Sequence, residues 1–270
     1  MDVLSEIIGR KRQRVEAAMQ ALPPGEMAAM ARTARADAKA HALSVALNSE
    51  EKINIIAEFK RRSPSKGDIN GNADAVLTAQ AYESGGAAGI SVLTEEDYFD
   101  GSMKDLHTVR NATLLPILRK DFIFDEYQVY ESAAAGADAL LLIVAVLDDE
   151  ALVRLRKLTE EELQMDALVE VHTREELDRA VAAGANLIGV NNRNLRTFQV
   201  STATSMEVAR LAPAGAILVS ESGLDANEVR KLKGVGYRGF LVGETLMKAD
   251  DPGKLLRELT EMREGPVGTI

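Results

Sequence analysis

Glu58 and Lys60 are the first residues in the chain whose types and spacing suggest chemistry. They end a short apolar run, Ile53-Asn-Ile-Ile-Ala57, that reads as a strand buried on both faces, as in a parallel sheet. Charges do not belong at the end of a core strand unless they serve something. Alternation with period two sends both side chains to the same side. The loop that follows, Arg61-Arg-Ser-Pro-Ser-Lys-Gly67, is polar and cationic. An acid, an ammonium group and a cationic loop at one strand end make a pocket for an anionic substrate.

Positioning such a pocket requires a repeated scaffold. After residue 50 the sequence alternates apolar strand, polar loop and Ala/Glu/Leu-rich helix, with strands expected near 53–59, 88–93, 115–119, 139–144, 167–171, 187–190, 216–220 and 239–242. The starts are about 27 residues apart, the size of one strand–helix unit. Four helix-to-strand joints share a glycine: Ser84-Gly-Gly-Ala, Ala135-Gly-Ala, Ala183-Gly-Ala and Lys233-Gly-Val-Gly. Glycine there takes the left-handed conformation that ends a helix. Eight units predict a closed (β/α)₈ barrel, a TIM barrel, over a chain read as one domain, residues 1–270. A doubly wound sheet is the alternative, but the first strand is followed by Ser-Pro-Ser-Lys-Gly and not by a Gly-x-Gly-x-x-Gly turn. Residues 1–50 form an N-terminal helical extension. Leu4, Ile7, Ile8 and Val15 fit one amphipathic helix, and Pro23-Pro-Gly25 separates it from an Ala/Met-rich second. The extension is expected to pack on the barrel as an extra layer, over one end.

Barrel chemistry gathers at the C-terminal strand ends. There the sequence offers Glu58 and Lys60, the acidic loop Thr94-Glu-Glu-Asp-Tyr-Phe99, Lys120 with Phe122, Glu170, Asn191 to Asn194, Glu221 to Gly223, and Gly243 with Glu244. Three inward carboxylates, Glu58, Glu170 and Glu221, repel one another unless cations lie between them, and Lys60, Lys120 and Arg193 are the candidates. A purely structural ring of ion pairs is the competing explanation, and Glu170 could alternatively cap a helix starting near Thr173. Ser222-Gly223 and Gly243-Glu244 are expected to present backbone N–H groups at helix starts as a phosphate cradle. His41 and His107 read as surface residues. His172 shares the parity of Glu170 but lies further into its loop. No residues have metal-ligand spacing, and no Ser/His/Asp set is arranged for nucleophilic attack.

Composition bounds the partners. Forty-two acidic against 32 basic residues give a formal net charge of −10, which argues against general affinity for nucleic acid or anionic membranes. Cysteine is absent, which excludes disulfides and thiolate chemistry. Hydrophobic residues make up 46% of the chain but aromatics only 4%, so Ala, Val, Leu and Ile must fill the core. The N-terminus lacks a signal-peptide core and no stretch approaches a membrane span, so a cytoplasmic protein is expected.

The motifs Ile56-Ala-Glu-Phe-Lys-Arg-Arg-Ser-Pro-Ser-Lys-Gly67, Ser91-Val-Leu-Thr-Glu95, Leu118-Arg-Lys-Asp-Phe122, Leu168-Val-Glu-Val171, Gly189-Val-Asn-Asn-Arg-Asn-Leu195, Val219-Ser-Glu-Ser-Gly223 and Val242-Gly-Glu-Thr-Leu-Met247 together resemble indole-3-glycerol-phosphate synthase. They fall in that family's order over residues 53–247. The resemblance implies conversion of 1-(2-carboxyphenylamino)-1-deoxyribulose 5-phosphate to indole-3-glycerol phosphate, carbon dioxide and water, without metal or other cofactor. It implies Lys120 as general acid, Glu170 with Glu58 in support as the acid–base carboxylates, and Lys60 near the anthranilate carboxylate. The division of proton donation between the two lysines stays open. It further implies substrate contacts from Asn191 and Glu221, from Ser63 in a closing loop, from Phe99 and Phe122 on the aromatic ring, and from Arg193, Ser222, Gly223, Gly243 and the Glu244 backbone at the phosphate. The expected partner is the phosphosugar alone, bound by a monomer or weak homodimer. Another phosphosugar barrel, such as an isomerase or a Schiff-base aldolase, and a non-catalytic phosphosugar-binding subunit are the rival functions.

Overall fold

The computed structural model describes residues 3–49, 52–193 and 199–261. Each expected strand is present: β1 (Asn54–Phe59), β2 (Gly89–Leu93), β3 (Ile117–Lys120), β4 (Ala139–Ile143), β5 (Asp166–Val171), β6 (Leu187–Asn191), β7 (Ile217–Glu221) and β8 (Gly239–Val242). Neighbours in sequence pair in parallel, and β8 returns to β1, with Asn54 opposite Gly239, to close a TIM barrel. The glycines at the helix-to-strand joints adopt positive φ, 82° at Gly86, 86° at Gly136, 81° at Gly184 and 103° at Gly236. No helix among the described residues is long and apolar enough to cross a membrane.

Strand alternation divides the core into two layers. Ile55, Ala57, Ile90, Leu140, Leu142, Val169 and Ile188 face outward, under the helices. Ile56, Leu118, Leu141, Leu168, Val219 and Leu241 fill the barrel interior. Burying one such aliphatic side chain contributes about 1.5–3 kcal/mol. Parity then dictates what lies one step further up each strand. Above Ile56 is Glu58, above Leu118 is Lys120, above Leu168 is Glu170 and above Val219 is Glu221. The apolar interior therefore aims four charged groups at the same end of the barrel.

The extension wraps more of the barrel than one end. Helix α1 (Val3–Ala21) and α2 (Pro24–Arg35) lie against the helix Glu126–Ala134, where Val15 and Met27 cluster with Tyr127. A third helix that the sequence pattern did not reveal, α3 (Ala42–Leu47), inserts Leu43 and Leu47 into the bottom of the barrel interior. Asp166, at the start of β5, accepts hydrogen bonds from the Leu43 and Ser44 amides at 2.9 and 3.0 Å and fixes this plug. His107 is exposed as expected. His41 also keeps 41% of its side chain exposed, and takes a left-handed conformation, φ 48°, before α3, with Nδ1 3.5 Å from Asp166.

Candidate active site

Every residue singled out from the sequence for catalysis or substrate binding lines one cavity of about 740 Å³ at the C-terminal strand ends. Lys120 stands at its centre. Its Nζ lies 2.9 Å from Glu170 Oε2 and 2.9 Å from Glu221 Oε2. Beside it, Lys60 is paired with Glu58 Oε2. The inward carboxylates are thus interleaved with the two lysines. Arg193 lines the same cavity. Glu170 does not cap the following helix, since Thr173 does so through the Glu176 amide.

Two glycines leave room for these carboxylates. A Cβ at Gly189 on β6 would overlap Glu221 Oε1, and one at Gly243 would overlap Glu58 Oε2. The acids are seated directly on backbone that can carry no side chain.

Burial and pairing set the protonation states. Burial alone would favour a neutral Lys120 amine, but Glu170, Glu221 and Glu58 more than offset it and hold the ammonium form well above the usual lysine range. Burial likewise raises the Glu170 carboxyl, yet Lys120 and His172, with hydrogen bonds from Lys120 and Asn191, bring it below the usual carboxylate range. Glu221 goes the other way. Its burial, opposed by Lys120 and reinforced by Glu170 and Glu58, pushes it up to about 7. Two carboxylates on one ammonium group are therefore driven apart, one ionised and one poised to exchange a proton near neutrality.

The raised Glu221 carries a stability prediction. Unfolded, the carboxyl loses its proton near 4.5; folded, it keeps it to about 7. Its contribution to stability is fully present below pH 4.5 and declines as the pH rises through 7. Glu221→Gln removes that decline, so the variant gains on wild type by up to roughly 3 kcal/mol between pH 5 and pH 8, at about 1.4 kcal/mol per pKa unit. Thermal melts of both proteins across that range check this; parallel curves refute it.

One wall is aromatic. Phe99 and Phe122 lie with ring centroids 6.4 Å apart and planes tilted by 45°. Phe99 is held by buried Glu95, whose carboxylate accepts the Asp97, Tyr98 and Phe99 amides at 3.1, 2.7 and 3.2 Å. Phe122 donates its amide to Asp121 Oδ1 at 2.8 Å. Asp121 is itself fixed by Thr94 at 2.6 Å, Arg119 at 3.1 Å and Lys11 of α1 at 3.0 Å. Burial would raise its carboxyl, but Lys11 and Arg119 keep it below the usual range. The N-terminal helix thus reaches the residue next to Lys120 through a buried ion pair. Sequence reasoning missed Lys11, because a lysine on an amphipathic helix reads as solvated.

The opposite side is built from turns. Ser222 and Gly223 follow β7 with φ of 68° and 67°. They do not stand at a helix start, as expected from the sequence. The next helix begins at Ala226, and its first amides bond to the Asp225 side chain. The pair instead forms a left-handed turn facing the cavity, and such consecutive amides form anion-binding concavities. Gly243 does directly precede a short helix, Glu244–Met247. The Glu244 carboxylate accepts a hydrogen bond from Lys248, 2.8 Å away, which holds it below its usual range. Asn191 Oδ1 accepts the Arg193 amide at 3.0 Å, shaping the adjoining loop. Asn194 and Leu195 of that loop lie outside the described residues.

A lid covers the cavity. Residues Arg62–Ser63 and Gly67–Asp68 pair as a small antiparallel hairpin, with Ser63 buried beneath it. Its stem is Arg61, bound to Asp105 by two 2.8 Å hydrogen bonds and stacked 4.8 Å over the Phe59 ring. Lys66, from the hairpin, reaches to 3.7 Å from Glu244. The cavity thus has lysines paired with carboxylates at its floor, two aromatic rings on one side and a left-handed turn on the other.

A family model described as indole-3-glycerol phosphate synthase matches residues 4–259. Curated proteins named indole-3-glycerol phosphate synthase from Carboxydothermus hydrogenoformans and Bacteroides thetaiotaomicron are 46% and 43% identical to this chain. The first alignment covers 95% of this chain and 98% of the relative, the second 95% and 96%. Among solved structures, a 3-hexulose-6-phosphate synthase from Salmonella typhimurium aligns with a TM-score of 0.63 at 13% identity, covering 76% of this chain and 96% of the other. A thiamine phosphate pyrophosphorylase from Pyrococcus furiosus gives 0.59 at 16%, covering 77% and 93%. At those identities the likeness extends to the fold.

Proposed function

The chain belongs to the indole-3-glycerol phosphate synthase family, and we propose that in its reaction Lys120 is the general acid and Glu170 the base. The enzyme closes the indole ring of 1-(2-carboxyphenylamino)-1-deoxyribulose 5-phosphate in tryptophan biosynthesis, releasing carbon dioxide and water. The aromatic carbon bearing the carboxylate attacks the ribulose carbonyl. The carbonyl oxygen takes a proton, carbon dioxide leaves its bonding pair to the ring, and the resulting hydroxyl departs as water after a second protonation. A methylene proton is lost to complete the indole.

The observation that carries the reading is Lys120 held 2.9 Å from both Glu170 and Glu221 at the cavity floor. An ammonium group kept protonated by carboxylates can donate to the carbonyl oxygen, and the ionised Glu170 can accept the methylene proton. The same protonation disfavours an imine-forming aldolase, which needs a neutral amine. Lys60, with Glu58 behind it, provides the positive charge for the anthranilate carboxylate. Phe99 and Phe122 hold the ring, Ser63 lies on the lid side, and Asn191 and Glu221 flank the ribulose. The phosphate rests on Arg193, the Ser222-Gly223 turn and the Gly243-Glu244 amides. The enzyme works on this phosphosugar as a monomer or weak homodimer in the cytoplasm, a reading supported by its place in a biosynthetic pathway.

Fluorescence-detected formation of indoleglycerol phosphate, without added metal, tests the assignment. Lys60→Met is expected to raise KM by roughly 10-fold or more, as for a lost charged hydrogen bond of about 1.5–3 kcal/mol. The Ki of the substrate analogue lacking the carboxylate should stay unchanged. A KM equal to wild type removes Lys60 from the carboxylate; no product from folded wild type refutes the whole scheme.

A further inference from the structure

His172 follows β5 and stands behind Glu170, outside the lining of the cavity. Its ring is held by a residue that, like it, does not line the cavity. Glu176, in the helix Arg174–Ala182, accepts the His172 backbone amide at 2.6 Å and places the same oxygen 3.3 Å from Nδ1. A carboxylate at that distance selects the tautomer with hydrogen on Nδ1. Nε2 is then the atom that faces Glu170 Oε1, at 3.4 Å, and it is buried with no hydrogen bond in the described residues. A neutral ring would set a lone pair against a carboxylate oxygen. A proton on that nitrogen or on that oxygen relieves the contact and turns it into a hydrogen bond. The other Glu170 oxygen is already occupied by Lys120, at 2.9 Å.

The reaction needs such a proton. Two protons go onto the carbonyl oxygen that leaves as water, and one comes off the methylene carbon, while the carboxylate leaves as neutral carbon dioxide. One proton is consumed net in each turnover and has to enter from solvent. Glu170 is buried, with 2% of its side chain exposed, and Lys120 opens only toward the cavity that the substrate would fill, whereas Glu176 lies outside that lining with 18% of its side chain exposed.

We propose that Glu176 and His172 form the route by which protons exchange between solvent and Glu170 Oε1, with His172 a positioning residue that carries the proton and does not touch the substrate. The inference rests on Glu170 being the base of the reaction. The charged groups facing the His172 ring are Glu170 on its own strand, Glu176 on the following helix and Glu221 on β7, with Lys120 beyond Glu170. Burial opposes the imidazolium, but the Glu176 hydrogen bond and the charges of Glu170, Glu176 and Glu221 prevail and raise its proton affinity, as a carrier here requires.

The test uses His172→Gln and His172→Ala, with Glu170→Gln as control. Glutamine keeps a donor near the Nε2 position but cannot titrate. Both His172 variants are expected to lose about 10²-fold in kcat, the lower end of what a proton-transfer group contributes, with KM unchanged. Imidazole added at constant pH and ionic strength should restore His172→Ala and leave Glu170→Gln unaffected. Wild-type kcat in His172→Gln overturns the proposal, leaving the ring as a hydrogen-bond donor only. A loss in His172→Ala that does not respond to imidazole overturns it as well. Full activity in Glu170→Gln would instead remove the assignment of Glu170 on which the route depends.

Discussion

Lys120→Ala is expected to lower kcat by about 10²–10⁴-fold, the usual contribution of a positioned general acid, with KM for the phosphosugar little changed. The phosphate end of the cavity is built from other strand ends and does not depend on this side chain. The loss should have a pH signature. Lys120 is the largest influence holding the Glu170 carboxyl below its usual range against burial. Without it, Glu170 and Glu221 face each other as buried carboxyls, and both hold their protons to higher pH. Residual activity should therefore rise with pH as Glu170 becomes able to act as a base. Stability should fall over the same interval, because groups with raised folded-state proton affinity lose their contribution as the pH increases. Arginine should not rescue, since its planar guanidinium does not fit a position set by two 2.9 Å contacts from a single ammonium nitrogen and stays protonated. Full pH–rate profiles of wild type and mutant check the prediction. Wild-type kcat in Lys120→Ala would assign the proton donation to another group, with Lys60 the next candidate.

Glu170→Gln is the second large effect, again about 10²–10⁴-fold in kcat. The amide is nearly isosteric and its oxygen can still accept from Lys120, so this substitution isolates the basicity of the group from its packing. It also relieves Glu221. The negative charge of Glu170 is one of the causes that push Glu221 to about 7, so the mutant should ionise Glu221 at a lower pH and let it take over as the partner of Lys120. A folded, inactive protein that binds substrate with near-normal affinity is the expected outcome. Titration of Glu221 by carbonyl-labelled NMR should show the accompanying downward shift. If kcat stays near wild type, the base lies elsewhere and Glu221 is the first alternative.

Much of this was legible in the sequence because two signals coincide at the strand ends. Apolar runs mark the strands, and a charge two residues beyond an inward Leu, Ile or Val must point into the same space, as Glu58, Lys120, Glu170 and Glu221 do. Three features were not legible, each for a physical reason. Helix α3 is a single short segment, and its Leu43 and Leu47 look like part of any amphipathic stretch; only the closed barrel creates the hole they fill. Lys11 is buried through partners 85 and 110 residues away, a separation that no local pattern encodes. The Ser222-Gly223 turn reads as a helix start because glycine after a strand fits both, although Asp225, with Glu228 three residues on, marks where the helix begins.

The seating of Glu58 against Gly243 has a consequence for how the enzyme comes into being. Glu58 lies on the first strand and Gly243 directly follows the last, so this contact straddles the seam of the barrel. The aromatic slot and Lys120 come from the earlier half of the chain, while the phosphate turns and the glycine under Glu58 come from its final quarter. A nascent chain still held by the ribosome through its last strand would have Lys120, the proposed acid, but neither the turns proposed to hold the phosphate nor a seat for Glu58. Pairing of the first strand with the last is therefore the event that brings the two halves of the cavity together.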